Sequence, residues 1–214
     1  MRRLVLKMSV SVDGFVAGPN GEVDWIFQSF DAEAADWVVR TLWDAGMHLM
    51  GHRTFQDMSA WWPSSTEPFA APMNEIPKAT FSRGRSNRPA STTTALRDAA
   101  EARGGHQTAH ARAAELASRW RETPVLTGPL GEEIANLRQQ PGGNLLAHGG
   151  ASFANSLVAA GLVDEYRLLV HPVVLGSGLS LFGGLEAPRH LELLESRAFA
   201  GGTVANVYRP RPTP

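Results

Sequence analysis

At two places in this chain a short apolar run ends in glycine and opens at once into a helical pattern. MHLMG leads into HRTFQDMSAWW at residues 47–62, and NLLAH leads into GGASFANSLVAAG at residues 144–161. Short apolar runs of this kind read as strands, and the three- and four-residue apolar spacing that follows reads as helix. A strand that feeds a helix returns to its sheet by a crossover, so its neighbour lies parallel. The same alternation recurs elsewhere. Residues 4–12 (LVLKMSVSV) form a first strand, ended by Asp13 and Gly14. Asp31 caps a helix with inward positions Ala34, Trp37, Val38, Thr41, Leu42 and Ala45, and Gly46 is its expected stop. Residues 76–82, 124–128 and 165–176 read as further strands, 129–140 as a helix opened by Pro129, and 191–199 with 203–210 as a hairpin about a glycine turn. The expected class is α/β: a mostly parallel central sheet, helices on both faces, and a C-terminal antiparallel hairpin.

The 214 residues fit a single domain spanning 1–214. One block, at about 85–121, breaks the pattern: Pro, Ser and Thr come first, then Ala-rich helical sequence, which reads as a helical insertion. The net charge of -1 gives no basic field for nucleic acid or an anionic membrane. With no cysteine there are neither disulfides nor thiolate metal sites, which fits a reducing cytoplasm. No run reaches the ~18 apolar residues of a membrane helix. The basic N-terminus has Lys7 inside its apolar stretch and no small-residue cleavage site, so it reads as a strand rather than a signal peptide. The expected partner is a small molecule.

Both glycine turns can hold an anion. A helix start carries about half a positive charge and several unpaired N–H donors, and glycine lets the backbone come close to a phosphate. Gly51, His52, Arg53 and Thr54 form one such turn, and Gly149, Gly150, Ala151, Ser152 and Phe153 the other. Either could be a plain strand-to-helix turn. Two in one sheet point to a ligand with more than one phosphate, a dinucleotide. Ser82 and Arg83, at the end of the strand 76–82, add a hydroxyl and a guanidinium that would suit a 2'-phosphate, hence NADP. The usual G-x-G-x-x-G fingerprint is absent. His106 and His110 would share a helix face and could hold zinc, but Gln107 stands where a metalloprotease has glutamate and a third ligand is missing, so no metal is expected. Asp164 and Glu165 would face opposite sides of a strand and cannot act as a couple. Trp37, Trp61 and Trp62 read as core or interface aromatics.

The segments SVDGFVAGPNGEVDW, LMGHRTF, TFSR and GGASFANSLVAAGLVDEYRLLVHPVVLGSGLSLF, with the closing LELLESRAF and YRP, resemble the dihydrofolate reductase-like superfamily. The likeness is strongest to the reductase domain of the bifunctional riboflavin-biosynthesis deaminase-reductase. It implies a dihydrofolate reductase-like three-layer sandwich and an NADPH-dependent reductase. Hydride would pass to a small pteridine-like or ribosylaminopyrimidine-like substrate. The alternative is a non-catalytic NADP(H)-binding protein on the same scaffold. By that resemblance residues 51–54 and 149–153 hold the pyrophosphate, Ser82 and Arg83 lie near the 2'-phosphate, and Ser11 and Asp13 lie beside the nicotinamide. Asp24 and Trp25 fall in a loop over the substrate. The riboflavin-pathway reductases carry glutamate immediately before the glycine pair, where this chain has His148. No spacing singles out the proton donor, for which Asp13, Asp24, Asp31 and ordered water are the candidates. The resemblance, and an otherwise uncovered apolar edge at the terminal strands, imply a homodimer.

Overall fold

The computed structural model describes residues 1–82, 84 and 111–211. Arg83, His106, His110 and most of the expected insertion lie outside them.

Eight strands form one sheet. They are β1 (Leu4–Ser11), β3 (Ala45–Gly51), β4 (Lys78–Phe81), β5 (Val125–Leu126), β6 (Asn144–His148), β7 (Glu165–His171), β9 (Leu191–Ala198) and β10 (Val204–Pro210). Across the sheet the order is β5-β4-β3-β6-β1-β7-β10-β9. All pairs from β5 to β7 are parallel. The pairs β7–β10 and β10–β9 are antiparallel, as the hairpin requires. Short β2 (Phe15–Ala17) and β8 (Leu179–Ser180) pair separately. The helices are α1 (Ala32–Trp43), α2 (His52–Trp61), α3 (Ala70–Glu75), α4 (Ala111–Arg121), α5 (Leu130–Gln139) and α6 (Ala151–Ala159).

Alternation along the strands sorts two cores. Leu4, Leu6 and Met8 of β1 pack with Leu145 and Ala147 of β6 under Ile134 and Leu137 of α5 and Phe153, Ala154 and Leu157 of α6. On the other face Val5, Met50, Leu146 and Leu169 pack under Trp37, Val38 and Leu42 of α1 and Phe55 and Trp61 of α2. Each large side chain buried this way contributes roughly 1.5–3 kcal/mol. Thus α2, leaving β3, covers one face, and α6, leaving the neighbouring β6, covers the other. Adjacent parallel strands whose connections part to opposite faces leave a crevice at their C-terminal ends, where ligands of open α/β sheets bind.

Several boundaries, and the content of one loop, differ from expectation. α1 ends at Trp43 and Gly46 lies inside β3. That glycine serves a close approach, since a Cβ there would stand 2.5 Å from the Gly143 nitrogen. β7 stops at His171 because Pro172 has no N–H for the ladder. The loop after β1 holds β2 and a 3-10 turn at Asp24–Gln28.

Candidate active site

The crevice between β3 and β6 opens into a cleft of about 1180 Å³. Pockets for drug-sized ligands span ~300–1,000 Å³, so this one has room for two ligands side by side. Gly51, His52, Arg53, Thr54, Ser82, His148 and residues 149–153 all line it.

The two glycine turns touch. A Cβ on Gly150 would lie 3.1 Å from Thr54 Oγ1 and 3.5 Å from the Gly51 nitrogen, and one on Gly149 would lie 2.6 Å from Thr54 Cγ2. Both glycines have positive φ, 90° and 85°, a region that side chains with a Cβ rarely enter. Neither α2 nor α6 has a side-chain N-cap or an acidic residue in its first turn, so their N–H groups stay available to an anion. α5 also begins at the cleft, through Pro129 and Leu130. Its first turn carries Glu132 and Glu133, and Glu133 accepts from the Gly128 N–H at 3.1 Å. That carboxylate makes α5 a wall rather than an anion site. The cradle between α2 and α6 fits a pyrophosphate.

Beyond the cradle the cleft reaches the β1 face of the sheet. Its walls there are apolar: Phe30, Val38, Leu42, Trp62, Phe69 and Met73. Its floor is polar, formed by Lys7, Ser9 and His148. Lys7 and His148 are register partners on adjacent parallel strands, about 4.8 Å apart. Burial lowers the Lys7 amine to about 8, against 10.5 for a free lysine. His148 is pushed well below 6.5 by burial first and then by His48, Lys7 and Lys78, and its ring meets that of His48 edge-on at 4.6 Å. Among the described residues no aspartate or glutamate lines the cleft.

The proposed proton donors therefore sit elsewhere. Asp13 is exposed beyond the end of β1, where it accepts from Ser11 Oγ at 2.6 Å and from the Leu175 and Gly176 amides. Those bonds, Ser11's first, hold its carboxyl below the usual range. Ser11 is buried in the same turn, its hydroxyl also accepting from the Phe15 amide. Asp31 caps α1, accepting from Ala34 N at 2.8 Å and Gly201 N at 2.6 Å, which likewise lower it. Asp24 is exposed at the start of the 3-10 turn. Trp25 is buried edge-on to His171, 5.4 Å between centroids, while its neighbours Ile26 and Phe27 face the cleft. Trp62, read as core, is buried and also lines the cleft. Lys7 was legible only as a lysine interrupting an apolar strand. A smaller cleft of about 560 Å³ under α1 is lined by charges of both signs, among which Arg167 bridges Asp44 and Glu165. Among the described residues no three metal-ligating side chains gather, and no helix is long and apolar enough to cross a membrane.

The buried histidines make the fold acid-sensitive. Burial lowers His48 and His171 to about 4, and His148 falls with them. Between pH 6.5 and 4 the unfolded chain binds these protons and the native chain does not, so stability falls as pH falls through that window. The urea midpoint should drop across it by the equivalent of a few kcal/mol, with a shallower drop in His171→Phe. Carboxylates such as Asp13 and Asp31 lose their contribution only at lower pH. A midpoint flat from pH 6.5 to 4 would contradict the buried, neutral state of these rings.

The chain matches the model of the RibD C-terminal domain over residues 2–205. It is 28% identical over 214 residues to the uncharacterised protein YyaP of Bacillus subtilis, covering 97% of this chain and 94% of that one. Its fold is that of a pyrimidine reductase-like protein from Corynebacterium diphtheriae, with TM-score 0.64 and 13% identity over 99% of this chain and 93% of the other. It is also that of Acinetobacter baumannii RibD, with TM-score 0.64 and 18% identity over 99% of this chain and 58% of that one.

Proposed function

We propose that this chain, which belongs to the RibD C-terminal domain family, is an NADPH-dependent reductase of a small planar heterocycle, pteridine-like or ribosylaminopyrimidine-like. The observation that carries the reading is the double glycine cradle: two uncapped helix starts, in contact through Thr54, open on a cleft large enough for coenzyme and acceptor. Gly51, Thr54, Gly149 and Gly150 would hold the pyrophosphate, and Arg53 and Ser82 line the end of the cleft suited to the adenosine phosphate. Bound there, the coenzyme supplies hydride. The chain's own part is to seat the acceptor between the apolar wall and the β1 floor, to exclude water, and to provide a proton. Lys7 is the group for that step. An amine lowered to about 8 is mostly protonated at neutral pH and gives up its proton more readily than a free lysine.

The absence of a carboxyl group among the described cleft residues favours a second reading, an NADP(H)-binding protein without turnover. Quenching of tryptophan fluorescence by NADPH tests the cradle, since Trp62 lines the cleft. Consumption of NADPH with pyrimidine and pteridine acceptors then separates the readings. No quenching sinks both; quenching without consumption leaves the binding protein.

The setting that fits is cytoplasmic, and the assembly a homodimer. Residues 193–198 of β9 are exposed on both faces of the strand, with Leu193 at 53% and Leu194 at 46%. A long edge strand with apolar residues invites pairing. Light scattering should give a dimer, and Leu193→Lys with Leu194→Lys a monomer that still binds NADPH. A wild-type monomer at working concentration overturns this.

A further inference from the structure

One wall of the cleft depends for its position on a residue outside it. Ile26, Phe27 and Phe30 face the cleft from a short segment. Its 3-10 turn, Asp24–Gln28, has no side-chain N-cap, and 3-10 hydrogen bonds are poorer than those of an α-helix. The segment is tied at its two ends. Trp25 Nε1 donates to the Glu22 carbonyl at 3.2 Å, and Asp31 accepts from the Gly201 amide at 2.6 Å. Between those ends one side chain from the sheet meets it three times. His171, the last residue of β7, is fully buried. Its Nδ1 hydrogen-bonds with Ser29 Oγ at 3.0 Å. Its ring meets Trp25 edge-on at 5.4 Å and stacks with Phe30 at 6.5 Å. Phe30 in turn meets Phe69 at 6.0 Å, and Phe69 meets Trp62 at 6.2 Å. Phe30, Phe69 and Trp62 line the cleft, whereas Trp25, Ser29 and His171 stand behind that lining.

We infer that His171 is a positioning residue for the acceptor: it pins Trp25, Ser29 and Phe30, so that Ile26, Phe27 and Phe30 form a fixed wall against which a planar ring is seated. The inference rests on the reductase reading and adds to it a residue that touches neither ligand. Histidine suits the place because it does two things at once. Its ring packs as an aromatic against Trp25 and Phe30, and its Nδ1 satisfies the one hydroxyl of the segment. Only the neutral ring can do both. His171 Nε2 is buried without a partner, so an imidazolium would bury a charged N–H with nothing to receive it. Burial first, and then Lys7 of β1, lower the ring to about 4, which keeps it neutral at ordinary pH. The strands on either side add no charge of their own at its level. Ser11 is its register partner on β1, and on β10 Thr203 precedes Val204, the partner of Val170. The pin is therefore set before any ligand arrives, and a wall ordered in advance lowers the cost of binding.

Amide hydrogen exchange tests the pin, and ligand affinity tests its use, both on the intact chain. Ser29→Ala and His171→Phe each remove the hydrogen bond and leave aromatic packing in place. Each should speed exchange of the amides of residues 24–30 by ~2- to 10-fold and leave β6 unchanged. The double variant should be no faster than either single one, because both remove the same bond. Pterin, a planar heterocycle, probes the acceptor side, and NADPH probes the cradle. Ser29→Ala should weaken pterin binding by the same ~2- to 10-fold and keep the NADPH dissociation constant within about twofold. Ser29 is half-buried in a loop, so Ser29→Ala decides the matter even where His171→Phe fails to fold. Unchanged exchange in Ser29→Ala, or an equal loss of protection in β6, overturns the pin. Faster exchange with unaltered pterin affinity overturns its part in seating the acceptor. A wild type that does not bind pterin also overturns that part, whereas one that does not bind NADPH sinks the reductase reading, so the two failures are distinct.

Discussion

Gly150→Ala should weaken NADPH binding by ~10- to 100-fold and destabilise the chain by ~1–3 kcal/mol. The stability loss follows from φ of 85° at this position, where a Cβ crowds the backbone. The affinity loss follows from where that Cβ would stand: 3.1 Å from Thr54 Oγ1 and 3.5 Å from the Gly51 nitrogen, in the gap between the two helix starts. A methyl there fills the space a phosphate oxygen would take and shields the donors of both turns. Gly131→Ala is the control. It lies within α5, a Cβ there meets nothing within 4 Å, and its φ is not positive. It should bind NADPH normally and gain ~0.5–1 kcal/mol from helix propensity. Calorimetric titration with NADPH and urea melts of both variants decide the matter. Wild-type affinity in Gly150→Ala would remove the cradle as the coenzyme site.

Lys7→Met should separate catalysis from both binding and folding. The turnover number should fall by ~10²- to 10⁴-fold, the range for losing a positioned proton donor, while the NADPH dissociation constant stays within about threefold, because Lys7 lies on the floor and not in the cradle. Stability should rise. A lysine lowered from 10.5 to about 8 binds its proton less well in the native chain than in the unfolded one. The charged side chain therefore opposes folding at neutral pH, and a Met of similar length removes that opposition, on the order of 2 kcal/mol. In the wild type the same sign makes stability climb as pH rises from about 8 towards 10.5. The reaction rate moves the opposite way, falling as pH passes about 8 and the amine loses its proton. A Lys7→Met variant with normal turnover would return the search for the proton donor to ordered water.

How far the sequence carries the reading is clearest at Gly51 and Gly150. Each glycine, placed between a strand pattern and a helix pattern, announced a strand-to-helix turn with free N–H groups locally. The residues that make the turns, from Gly51 to Thr54 and from Gly149 to Phe153, were all readable from order along the chain. Asp31 was equally legible as a cap, and the structure confirms it as one. Lys7 was not readable as a site residue. Alternation in LVLKMSVSV assigns it to one face of a strand, but whether that face meets a helix, water or a cleft depends on which elements arrive from elsewhere. Asp13, Asp24 and Trp25 lie off the cleft lining for the same reason. A loop's place in the chain does not say which of its side chains turn inward, and here Ile26 and Phe27 do.

By itself, then, the sequence determined the strand–helix alternation, the parallel centre, the antiparallel close and the two glycine turns that open helices, because each rests on contacts within a few residues. Only the tertiary structure decided that β6 lies between β3 and β1, which sets Gly150 against Gly51 and His148 beside Lys7. Strand order depends on contacts between residues about a hundred positions apart, and no local pattern encodes them.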